Sequence, residues 1–391
     1  MRAVPLGVAI AALVGLSALA ASWQGSALRA GAHEGSDLPS TVFLTAACCA
    51  FVLYVGALFL VRRRQTQLAV VLAVGAAIQL VPLAGPLVIS RDVYAYWAYG
   101  RVATVHDANP YTVAPARFEQ DPASRAMAKG WRTSKSVYGP VFSGASAGLA
   151  VAGGRSAGDE QLAYRVAGAA GMLVVTGLAA LVAPLPAFAA AFVGWNPLLA
   201  FDFAGGGHND VWMMAFVLGA LALAARRPRF AGASFAVAGG VKWIVLGVLP
   251  LHLMSSSRRE ALRMIGGFAL AAGALAAIAF YFFGTAWITT LGVFAHRTSD
   301  WAIPSRLHQV GLPRWLALLP LVALTPLLVR SARRGRPRMA LASMLVLVAT
   351  PWLLPWYAAW VVPLAAVEED RLVWVLALAF CAYILPDGIP L

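Results

Sequence analysis

The sequence predicts an all-α, polytopic integral membrane protein, and three observations carry that prediction. Hydrophobic residues fill 61% of the 391 positions and charged residues only 12%, against about half and a quarter in soluble chains, so a soluble core could not hide this much apolar surface. The apolar residues are gathered into runs, Val4–Ser22, Thr41–Val61, Leu68–Ile89, Leu162–Val182, Val211–Ala225, Met264–Phe283 and Trp315–Val329. These approach or reach the roughly 20 residues that cross about 30 Å of hydrocarbon as helix. The runs are apolar on every face and rich in Ala, Leu and Gly, whereas the strands of a membrane barrel alternate apolar and polar residues.

The elements follow in order. The first run, behind Arg2 and ending near Ala18-Leu19-Ala20, fits a cleaved signal peptide, but its length and the absence of a soluble domain after it favour a retained helix. Cys48 and Cys49 in the second run and Cys381 in the last suggest no disulfide framework and read as small apolar fillers. Arginine clusters at Arg62-Arg63-Arg64, Arg226-Arg227 with Arg229, Arg258-Arg259 with Arg263, and Arg330 to Arg338 mark four cytoplasmic loops by the positive-inside rule. With the N-terminus inside, the third helix delivers the segment 90–161 to the outer face. That segment carries Arg91, Arg101, Arg117, Arg125, Lys129, Arg132, Lys135 and Arg155, a cationic surface suited to a phosphate or a phospholipid headgroup. Within it, Val141–Ala152 is too short to span and reads as an interfacial helix.

Two cytoplasmic clusters, near Arg227 and Arg258, flank one apolar stretch of about 30 residues, which must therefore cross twice as a pair of short helices. The break falls at Gly239-Gly240 and sets Lys242 toward the outer end. Met339–Val367 splits in the same way at Pro351 to Pro355, turning Trp352 and Trp356-Tyr357 outward as an aromatic belt. The result is a single transmembrane domain over 1–391 in the plasma membrane, with roughly thirteen helices, the N-terminus inside and the C-terminus outside.

The net charge of +14 is spread in short clusters between apolar runs, which is how orientation signals are arranged, and no nucleic-acid module is visible. Polar groups at membrane depth are costly, of order 2.5 to 3.5 kcal/mol for a central charge, and so mark candidate chemistry. Three clusters qualify: Arg91-Asp92 with its aromatic followers, His208-Asn209-Asp210, and Lys242. In the stretch after Asp92, Val93, Tyr96, Trp97 and Gly100 fall at helical spacing, leaving Asp92 at the N-terminal end. There it is either a helix cap or a general base for an acceptor hydroxyl, with Arg91 and Arg101 beside it for a phosphate leaving group. Asn109-Pro110-Tyr111 and Tyr138-Gly139-Pro140 are turns. His208-Asn209-Asp210 follows three glycines; Asn209 or Asp210 could cap the next helix, while the glycines admit a ligand to which His208 could donate. Lys242 is either a phosphate ligand or the partner of Asp210 or Asp202 in a buried ion pair. A metal held by Asp92, His208 and Asp210 lacks the usual ligand spacings, and no cofactor is expected.

Taken together, Asp-Val-Tyr-Ala-Tyr-Trp-Ala-Tyr-Gly-Arg, Asn-Pro-Tyr, Tyr-Gly-Pro, Trp195-Asn196-Pro197, His-Asn-Asp, the lysine of Gly-Gly-Val-Lys and Pro-Trp-Tyr (Trp356, Tyr357) resemble the polyprenol-phosphate-mannose-dependent α-mannosyltransferases of the GT-C superfamily. The order of the motifs matches as well. The resemblance spans roughly Ser90 to Pro363. It implies an inverting transferase with its site on the outer face, a lipid-linked glycan acceptor of the cell envelope, and Asp92 as base. It further implies that no metal takes part, while Arg91, Tyr96, Arg101, His208, Asn209, Asp210, Lys242, Trp356 and Tyr357 are the candidates for binding substrate or phosphate. Related GT-C enzymes use the same carrier for arabinose, and the residues themselves do not separate the sugars. A lipid or sugar transporter is the competing class, but it would be expected to show an internal repeat, and none is visible.

Overall fold

The computed structural model describes residues 3–30, 35, 37–63, 66–153, 156–288 and 297–390. Of the residues singled out above, Arg2, Arg64 and Arg155 lie outside them. Among the described residues the chain is helical and contains no strand; a single backbone bridge pairs Arg29 with Val88. The N-terminal part runs through α1 (Ala3–Ser22), α2 (Asp37–Arg63), α3 (Leu68–Leu80), α4 (Asp92–Thr104), α5 (Pro122–Ala126), α6 (Pro140–Ala152) and α7 (Ala157–Val182). The central part adds α8 (Pro186–Gly194), α9 (Pro197–Ala200), α10 (Asp210–Ala224), α11 (Pro228–Val241), α12 (Leu249–Ser255) and α13 (Arg258–Phe283). The C-terminal part holds α14 (Ile303–Gln309), α15 (Leu319–Arg333), α16 (Met339–Ala349), α17 (Val362–Glu368) and α18 (Arg371–Ile384).

Among the described residues, five helices are long and apolar enough to cross a membrane alone, and the bent pair α8 and α9 would add a sixth; six further apolar helices are shorter. A count of thirteen crossings would need every one of these helices to cross, Pro140–Ala152 included, and one further short helix besides. Cys48, Cys49 and Cys381 are free thiols, the last of them buried.

The Trp-Asn-Pro motif explains the bend of 54° between α8 and α9. Pro197 cannot donate to the preceding turn, so backbone carbonyls are released where no water can reach them. Polar side chains take them up: Tyr54 donates to the Phe192 carbonyl at 2.5 Å and Gln79 Nε2 to the Gly194 carbonyl at 3.1 Å. Asn196 caps α9 by accepting from the Leu198 N–H at 3.0 Å, and Trp195 donates to the Val71 carbonyl at 2.9 Å. A π-helical turn, Phe201–Gly205, follows. Arg165, buried on α7, ties it down by donating to the carbonyls of Ala204 at 2.8 Å and Pro82 at 2.5 Å. The chain then reverses at Gly207, whose φ of 72° is a left-handed conformation that favours glycine, and enters His208-Asn209-Asp210.

Two breaks expected from the sequence are present. Met339–Val367 is interrupted between α16 and a short 3₁₀ turn, Pro355–Trp360. The pair after Arg229 breaks at Lys242 itself, two residues beyond Gly239-Gly240: Lys242 is extended, with φ −152° and ψ 125°, between α11 and a 3₁₀ turn, Trp243–Gly247. The glycines remain helical, and it is the residue whose side chain must reach Asp210 that leaves the helix.

Candidate functional site

Residues from five separate stretches converge on a cavity of about 510 Å³. Its wall includes Asp92 and Tyr96 of α4, Tyr138 and Gly139 of the turn before α6, Asn209, Lys242 and Trp243 after α11, and Trp352, Trp356, Tyr357 and Trp360 around the last break. One close approach sets the geometry. A Cβ on Gly139 would stand 2.1 Å from the Gly240 carbonyl oxygen, so only glycine lets the Tyr-Gly-Pro turn lie against the end of α11, where Lys242 emerges. Two motifs far apart in sequence are thereby two sides of one contact.

Asp92 occupies the first turn of α4, and its side chain makes no capping bond; the N-cap position is Arg91. The carboxylate is instead turned toward the cavity with 27% of its surface open, 3.8 Å from His208 Nδ1. Its surroundings act on its protonation: burial pushes the carboxyl up to about 6, while the Lys242 charge and a Ser90 hydrogen bond pull downward and Asp210 adds a further upward push. A carboxyl poised in this range suits a base that works near neutral pH. His208 is buried, stacked on Trp356 with ring centroids 3.5 Å apart, and within 3.5 Å of the Tyr96 hydroxyl. It supports Asp92 and Trp356 from behind rather than lining the cavity.

Lys242 and Asp210 form the ion pair anticipated as one of two readings: Nζ lies 2.6 Å from Oδ1 of a fully buried carboxylate. The same oxygen accepts the Trp360 indole N–H at 2.5 Å. The ammonium also sits over the rings of Tyr357 at 4.5 Å and Trp360 at 5.1 Å, which stack on each other at 4.0 Å. Lys242 still lines the cavity, so the pair orients one of its donors and leaves the others for a ligand. Asn209 stands at the N-cap of α10 without a side-chain capping bond, and its buried Nδ2 has no protein partner. Asn209 lines the same cavity.

The remaining expected residues are placed elsewhere. Arg101 leaves the cavity and joins Asp121 at 2.9 Å, where His106 Nε2 also sits at 2.8 Å. Arg91 does not line the cavity, and its buried Nε lacks a hydrogen-bond partner. Sequence reasoning missed Trp131, Trp243 and Trp360 in the wall, and Arg297, whose guanidinium lies 3.6 Å over Trp131 and 5.0 Å over Trp352. The only signal for Trp360 was its spacing of three from Tyr357 in the 3₁₀ turn, and Trp131 carried none. Among the described residues no three His, Cys, Asp or Glu side chains are grouped as a metal ion requires.

The arrangement thus offers a partly open carboxylate, an ammonium and an amide donor within a wall of indole and phenol rings. Such a mixture of broad apolar faces with a few convergent polar groups is how a pocket binds and orients an amphipathic ligand.

Residues 4–258 match the family model described as the N-terminal domain of alpha-(1->6)-mannopyranosyltransferase. Among known proteins, the chain is 24% identical over 359 residues to a probable alpha-(1->6)-mannopyranosyltransferase of Mycolicibacterium smegmatis, covering 73% of this chain and 62% of that protein. It is 29% identical over 158 residues to alpha-(1->6)-mannopyranosyltransferase B of Corynebacterium glutamicum, covering 39% of this chain and 26% of that one. The aligned regions therefore span less than two thirds of the length of either relative. No solved structure matches the chain.

Proposed function

The chain belongs to the alpha-(1->6)-mannopyranosyltransferase family, and from that premise we propose that it transfers mannose from a polyprenyl-phosphate donor to a lipid-linked glycan at the outer face of the plasma membrane, with inversion at the anomeric carbon. The observation that carries this reading is that Asp92 and Lys242 line one aromatic-walled cavity. The acceptor hydroxyl oxygen attacks C1 of the sugar, Asp92 takes the hydroxyl proton, and the bond from C1 to the phosphate oxygen breaks. The electron pair of that bond leaves with polyprenyl phosphate, whose growing negative charge meets Lys242 and the Asn209 amide. The indole and phenol faces hold the sugar rings and exclude water from C1.

This reading also adopts the thirteen-crossing topology, with the N-terminus in the cytoplasm and the segment 90–161 outside. The names of the relatives support mannose and the α-1,6 linkage. The test is transfer of labelled mannose from polyprenyl-phosphate-mannose by purified protein in lipid nanodiscs. Wild-type protein should transfer and Asp92→Asn should lose activity by about 10²- to 10⁴-fold, the usual contribution of general acid–base catalysis. Equal turnover by folded Asp92→Asn would remove Asp92 as the base.

A further inference from the structure

At the opposite end of α11 from Lys242, Arg227, Arg229 and Arg263 line a second cavity of about 390 Å³, together with Pro228 and Phe230. The 14 residues of α11 separate it from the Asp92 cavity by about 20 Å of helix, at 1.5 Å per residue. We propose that this second cavity binds the headgroup of an anionic phospholipid.

Three observations carry the proposal. The first is uncompensated charge. No acidic residue lines the cavity, and among the described residues none of the three guanidinium groups forms an ion pair or donates a hydrogen bond to protein. Three cations held around one concavity repel one another unless an anion joins them. All three residues are exposed, open to an anionic partner from outside the protein.

The second is rigidity. α11 and α13 cross at backbone contact beside the cavity: a Cβ on Gly232 would stand 1.9 Å from the Met264 carbonyl oxygen, and one on Gly267 would stand 1.9 Å from that of Arg229. The guanidinium groups of Arg229 and Arg263 are therefore presented from two helices whose spacing is fixed, which lowers the cost of organising a phosphate site. The third is the apolar rim. Phe230, in the cavity wall, is 61% exposed, and next to Arg263 on α13 Leu262 is 59% exposed. α13 is among the helices able to cross a membrane, and little of it is covered by protein. A phosphodiester seated between the arginines would leave its acyl chains lying along these side chains, the arrangement by which basic pockets between membrane helices hold anionic headgroups. A free phosphate uses the charge but not the rim.

The test uses full-length protein in phosphatidylcholine nanodiscs containing phosphatidylglycerol, with the lipids retained after release counted by native mass spectrometry. Wild-type protein should retain phosphatidylglycerol selectively. Replacing Arg227, Arg229 and Arg263 by Gln should lower its apparent affinity by about a hundredfold, the product of three basic side chains at an anionic surface. A control that removes the same charge at Arg330, Arg333 and Arg334 should change it little. Replacing the first three arginines by Lys retains the charge and should keep most of the binding, which guards against a folding defect being read as loss of a site. The proposal fails if both glutamine sets behave alike, if neither loses lipid, or if inorganic phosphate displaces phosphatidylglycerol at equal concentration. Because the readout is retained lipid and not sugar transfer, its failure would leave the reading of the Asp92 cavity untouched.

Discussion

In the proposed reaction the contact between Asp210 and Lys242 serves structure and chemistry together. Removing Lys242 leaves a fully buried carboxylate with only the Trp360 N–H as its donor, a loss of about 3 to 5 kcal/mol when a buried pair is broken. Lys242→Met should therefore lower both the yield of folded protein and the rate of transfer. In the double variant Lys242→Met with Asp210→Asn the buried charge is gone, so yield should recover. Specific activity should stay about a hundredfold to a thousandfold down, the usual cost of one preorganised donor. Recovery of activity along with yield would reduce Lys242 to a structural role. Asp92 gives a second expectation. Because burial raises its carboxyl to about 6, the base form is depleted as pH falls through that value, and the transfer rate should drop about tenfold per unit below it and level off above. A flat rate between about pH 5 and about pH 8 would contradict this. Both residues were legible in the sequence as charges in apolar surroundings. Arg297, Trp131 and Trp360 were not, because their place in the site depends on contacts between distant segments and not on any local pattern.

The elements were legible wherever Pro and Gly punctuate apolar runs. The helix after Asp92, the short helix after Tyr138-Gly139-Pro140 and the break at Pro351 to Pro355 lie where the sequence puts them. The break before Lys242 shifted by two residues because helix geometry tolerated the glycines and the Asp210 contact did not tolerate a helical lysine. What stayed hidden was the support of the segment between α4 and α6. There Asp121 caps α5 and gathers Arg101 and His106, with His106 stacked on Phe118 at 3.8 Å. Burial alone would raise the Asp121 carboxyl, but the hydrogen bonds from Arg101, His106 and the Ala123 N–H, with the charge of Arg101, hold it below its usual range. A carboxylate lowered in the fold contributes stability above its unfolded value of about 3.9 and loses it as pH falls through the lower folded value. Asp121→Asn should remove that contribution at neutral pH, about 1 to 3 kcal/mol for a charged hydrogen-bonding group. It should be seen as roughly tenfold or greater acceleration of amide exchange in residues 115–131 with little change in α7. Unaltered exchange would show that the cluster supports nothing.

At the scale of the whole molecule, the all-helical architecture follows from composition, since lipid leaves no other partner for the backbone than its own carbonyls. The proposed orientation rests on the arginine clusters. Cysteine probes at Arg63, Arg227 and Arg334 should react only from the cytoplasmic side and one at Arg125 only from outside; an Arg125 probe labelled from within would invert the site along with the topology. In the proposed topology the two cavities at the ends of α11 face opposite sides of the membrane and would make different demands on an anionic lipid, sugar transfer at one and retention at the other. The measurement that reaches the central claim most directly is a structure of the protein with a non-transferable polyprenyl-phosphate-mannose analogue. The expected result is the phosphate within about 3 Å of Lys242 Nζ, a hydrogen-bonding distance, with the anomeric carbon facing Asp92 across the aromatic wall. Density for the phosphate among Arg227, Arg229 and Arg263, or anywhere else away from Lys242, would contradict it.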